Sequence, residues 1–72
     1  MAVVVLNGKP VEVSDILVDV EALKLRLYLQ IEHGNGAEAK LREIRLMLRH
    51  ALSPSKILAL RKVQKELQEA SA

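Results

Sequence analysis

Seventy-two residues with no cysteine, Phe or Trp make one domain at most, without disulfides or thiolate metal sites to staple it. Half of the residues are hydrophobic, which argues against a disordered chain. A domain this small buries only about 60% of its unfolded surface, so its stability must come from close packing or from association.

The net charge of +2 is too small to argue for nucleic acid. It is unevenly spread: residues 1–33 hold three Lys/Arg against five Asp/Glu, residues 34–72 eight against four. Charge runs of this kind ordinarily mark solvated faces. The longest apolar runs, such as "AVVVL", fall short of the roughly 20 residues of a bilayer span and the about 7–15 of a secretory signal. A cytoplasm-like setting is therefore compatible.

"AVVVLNGKPVEV" reads as a β-hairpin over residues 2–13. Asn7-Gly8 supplies the positive φ at both central positions that a type I′ turn requires. Pro10 has no N–H, which places it on a free edge or where no donor is needed. Two strands alone are marginal, so the hairpin must lean on helices.

Residues 16–33 are ambiguous at first sight. Leu23, Leu25, Leu27, Leu29 and Ile31 alternate with polar residues, as a strand would. Yet the segment has no Gly, Pro or Asn to turn on, and the alternation breaks phase at Ala22. At about 100° per residue, Ile16, Val20, Leu23, Leu27 and Ile31 fall on one stripe, while Val18, Ala22, Leu25 and Leu29 fall on the opposite one. A helix with two apolar faces explains both patterns, with Ser14 or Asp15 as its cap. The alternative is a third strand, giving a three-stranded sheet and two helices.

Gly34 suits the position beyond the helix C-terminus, and Asn35 with Glu38 makes a capping pair for a helix over 37–52. That helix aligns Ala37, Leu41, Ile44, Leu48 and Leu52. Ser53-Pro54, a cap followed by proline at the first helical position, opens a third helix over 54–69. It carries Ile57, Leu60, Val63 and Leu67 inward. The expected fold is α+β: a hairpin followed by three helices in one domain.

Reactive constellations are missing. His33 and His50 sit near the ends of consecutive antiparallel helices, too far apart for one metal site. No serine has a base held by a third group, and Gly8, Gly34 and Gly36 form no phosphate cradle. The reading is not an enzyme, with no metal, cofactor or small-molecule ligand built in. Arg42, Arg45 and Arg49, with Lys56, Arg61, Lys62 and Lys65, form a basic helical pair that would suit a weak helix-turn-helix nucleic-acid binder. Glu38, Glu66 and Glu69 interrupt it, and no aromatic platform exists for single strands.

"LNGKPVEV", "EHGNGAEAKLRE", "ALSPSKI" and "RKVQKELQEASA" use favoured turn, capping and surface residues in succession, and local signals agree almost everywhere. In style the chain resembles computationally designed, de novo proteins of the compact α+β or helical kind. "EHGNGAEAK" is also similar to the helix–helix turns of α-solenoid repeats, though no unit recurs. The resemblance implies no functional residues. The function expected from the residues is self-assembly into a homo-oligomer, above all a dimer, through the first helix's second apolar face. The expected core stripe is Ile16, Val20, Leu23, Leu27 and Ile31. The expected interface is Val18, Ala22, Leu25 and Leu29, joined by Leu46 and Met47. A module presenting that face to a different protein is the alternative.

Overall fold

The computed structural model describes residues 1–32 and 36–71. It shows the hairpin and three helices, so the three-strand alternative is excluded. Strand β1 (Ala2–Leu6) pairs antiparallel with β2 (Lys9–Val13), in the register Ala2↔Val13 to Leu6↔Lys9. Asn7 and Gly8 have φ of 52° and 76°, the left-handed values of a type I′ turn. Such a turn is closed by a hydrogen-bonded pair, here Leu6↔Lys9, and bonded and non-bonded pairs then alternate. Pro10, opposite Val5, therefore directs its missing donor away from the ladder.

Helix α1 runs Asp15–Glu32. The Val18 N–H donates to the Ser14 carbonyl at 3.2 Å, and the Asp15 carboxylate meets the amino terminus of Met1 at 2.9 Å. Helix α2 runs Ala37–His50. Its cap is Gly36, with no side-chain bond, rather than the expected Asn35. Asn35 lies outside the described residues, as do His33 and Gly34. The chain turns extended at Ala51 (φ −74°, ψ 126°), so α2 ends before the expected residue 52. Leu52 leaves the helical register and is almost fully exposed, correcting its place on the inner face. Helix α3 (Pro54–Ser71) opens as expected, with the Ile57 N–H donating to the Ser53 carbonyl at 3.0 Å.

Helix α3 is the shared partner: α1, α2 and both strands pack against it. Toward one end, Ile57 joins Val4, Val13 and Val18. Along the rest, Ala59, Leu60 and Val63 meet Ala22, Leu25 and Leu29 of α1 and Ile44 of α2. Ile57, Leu60 and Val63 point inward as the sequence predicts; Leu67 is half-buried.

One assignment is turned round. Val18, Ala22, Leu25 and Leu29, expected on the outside, are the buried face of α1. Of the stripe expected in the core, Ile16, Val20, Leu23 and Leu27 remain between 42% and 74% exposed, and the side chain of Ile31 lies outside the described residues. The reason is steric. Helices approach to about 8–10 Å depending on the side chains at the contact, and the inner stripe contains one small residue, Ala22, where the outer one has none. Ala22 of α1 and Ala59 of α3 are both almost wholly buried in the same cluster, which lets the two backbones come close.

Candidate interaction face

The exposed face of α1 is built by helical periodicity alone. Ile16, Val20, Leu23 and Leu27 are spaced by four, three and four residues and so fall in one narrow arc, directly opposite the core. The hairpin does not cover it, because the strands pack with Val18 on the inner side.

One flank of this face carries two ion pairs to α3. Lys62 Nζ donates to Asp19 Oδ1 at 2.7 Å. Arg26 donates from Nε to Glu66 Oε2 at 3.0 Å and from its Nη2 to Oε1, the forked geometry that suits guanidinium and carboxylate. That hydrogen bonding, opposed in part by desolvation, holds the Glu66 carboxyl below its ordinary range and the Arg26 guanidinium above its own. Both groups are about two-fifths exposed, so the pair is worth at most about 1 kcal/mol. On the other flank Lys24 lies 3.8 Å from Glu21.

Beyond that second flank an open cleft of about 630 Å³ separates α1 from the end of α2. Its apolar lining includes Leu25, Met47 and Leu60, and Lys24, His50 and Lys56 stand along it. Of the predicted interface residues, Val18, Ala22, Leu25 and Leu29 are thus core. Leu46 is exposed on α2, and Met47 is half-buried in the cleft. The structure does not gather the six into one surface.

Arg42, Arg45 and Arg49 are exposed along α2, but Lys62 of the proposed basic pair is engaged by Asp19. The cross-helix pairs went unread in the sequence. Their signal was faint: Asp19 and Arg26 are seven apart, Lys62 and Glu66 four, which places each couple on one helix face. Among the described residues no group of three or more His, Asp or Glu could hold a metal ion, and no helix is long and apolar enough to cross a membrane. Comparison with known proteins finds no matching family model, curated protein or solved structure.

Proposed function

We propose that the chain is a self-associating structural protein that forms a homodimer through the outer face of α1. The observation carrying this reading is the stripe of Ile16, Val20, Leu23 and Leu27, each more than two-fifths exposed on a helix whose opposite face is already the core. The four–three–four spacing is that of alternating seam positions in a two-stranded helical pairing.

Charge supports an antiparallel arrangement. Asp15, Asp19 and Glu21 lie in the first half of α1, whereas Lys24 and Arg26 follow, with the single acid Glu32 at the very end, so the halves carry −3 and +1. Two antiparallel copies set the acidic half of one against the basic half of the other. With Val20 opposite Leu23 of the second copy and Ile16 opposite its Leu27, Asp19 comes beside the second copy's Arg26. The ion pairs to α3 from both copies then border the seam on one side, and Glu21 and Lys24 of both copies border it on the other.

Full burial of a Val, Leu or Ile side chain is worth about 1.5–3 kcal/mol, so side chains already half covered contribute roughly half that, or about 6–12 kcal/mol over both copies. Association costs about 4–15 kcal/mol. The balance describes a modest, concentration-dependent dimer.

Light scattering across a micromolar dilution series, for the parent and for Leu23→Glu with Leu27→Glu, tests this. The parent is expected to double its mass, while the variant stays monomeric with an unchanged circular dichroism spectrum. A parent that remains monomeric rejects self-pairing of α1 and leaves the face to a different protein.

A further inference from the structure

The two strands of the hairpin have very different free edges. β2 carries Lys9, Pro10 and Glu12, the charged and proline residues that ordinarily discourage a strand from pairing with another chain. β1 is Ala-Val-Val-Val-Leu, with neither charge nor proline. Ala2, Val4 and Leu6 direct their backbone groups into the ladder with β2, so those of Val3 and Val5 point outward. Among the described residues no backbone partner meets them, and both side chains are more than half exposed.

We infer that the free edge of β1 is a second self-pairing site, at which two copies join their hairpins into one four-stranded antiparallel sheet. It uses none of the residues of the α1 seam and stands or falls separately from it. A second copy fits this edge for three reasons. The edge is uncharged, so two copies meet without like-charge repulsion, whereas two β2 edges would bring Lys9 and Glu12 into play.

The edge is also self-complementary about Val4. Val3 exchanges both of its outward bonds with Val5 of the second copy, and Val5 with its Val3. Val4 then faces its own counterpart across the two-fold axis, in a close non-bonded pair. Finally, the pairing keeps the faces in phase. Val3 and Val5 pack across the join on the outer face, a favourable pairing of β-branched residues. Ala2, Val4 and Leu6 stay on the inner face, against each copy's own α3. Because this site buries fewer large side chains than the α1 seam, it fills at higher concentration.

The test uses the full chain carrying Leu23→Glu and Leu27→Glu, which removes the α1 seam, and follows mass and amide exchange from micromolar to millimolar concentration. The expected result is a doubling of mass, with exchange at Val3 and Val5 slowed at least about tenfold. A mixed-label sample should show a nuclear Overhauser contact between the Val4 Hα protons of the two copies. Val3→Pro on this background should abolish all three signals, and it breaks no bond of the hairpin because the Val3 N–H already points away from β2. Val5→Lys serves the same purpose if the proline variant fails to fold. Val3 and Val5 amides that exchange at free-peptide rates at millimolar concentration overturn the inference, whatever the parent's mass at micromolar. So does protection that does not change with dilution.

Discussion

The two faces of α1 are nearly matched in composition and opposite in fate. Val18, Ala22, Leu25 and Leu29 lie against α3; Ile16, Val20, Leu23 and Leu27 face solvent. Hydrophobicity does not separate them, and the outer stripe is if anything the bulkier. What separates them is fit. A helix buries the face that lets a neighbour come close, and Ala22 opens that approach where no residue of the outer stripe does. The surplus of leucine in this helix is therefore apolar surface beyond what one small core can take up.

The sharpest way to break this contrast is to place charge on each face in turn. Leu25→Glu with Leu29→Glu is expected to unfold the chain, since stability of about 0.05–0.15 kcal/mol per residue cannot absorb two buried, unpaired carboxylates. Loss of helical circular dichroism reads this out. Leu23→Glu with Leu27→Glu should leave the fold intact. A folded Leu25/Leu29 variant would show that the inner face is not the core.

Truncation gives the next largest difference. Leu29→Ala should cost about 2–5 kcal/mol in urea unfolding, whereas Leu23→Ala in a monomeric sample should move stability by no more than about 0.5 kcal/mol. The steric explanation has its own test: Ala22→Leu should destabilise by about 1–3 kcal/mol through overpacking, despite adding apolar surface. A neutral or stabilising Ala22→Leu would remove close approach as the cause.

The smallest effect concerns the flank. Glu66 has its carboxyl held below the ordinary range by Arg26. The native state therefore releases this proton more readily than the unfolded chain. Its stabilisation is fully present above the unfolded carboxylate pKa of about 4.3 and disappears as pH falls through the lower native value. Discounted for exposure, it amounts to less than about 1 kcal/mol. Glu66→Gln should flatten that part of the stability–pH curve in proportion.

Much of the architecture was legible because it is local. Asn7-Gly8 specifies a turn through φ, Ser53-Pro54 a helix start through capping, and the period of residues 16–31 a helix through spacing. What periodicity cannot convey is which of two stripes meets a partner distant in sequence; that depends on α3 and on the volumes at the crossing. The cap at Gly36 and the release of Leu52 were missed for a related reason. Each rests on where the backbone leaves helical geometry, which the side-chain pattern at Asn35 and Leu52 misstated. The free edge of β1 was on view in "AVVVL" throughout, but only the register identifies which of its backbone groups are unspent.

The central place of α3 has a consequence in time. It is the last of these elements to leave the ribosome, yet every other element packs against it. At about 5–20 residues per second, roughly 3–10 s separate Ala2 from Pro54. During that interval the hairpin and α1 have only part of their packing surface, since Val4, Val13 and Val18 can meet but Ile57 is still absent. An isolated hairpin is marginal in water. The inner face of β1, Val4 above all, thus waits several seconds for Ile57 to complete its cluster.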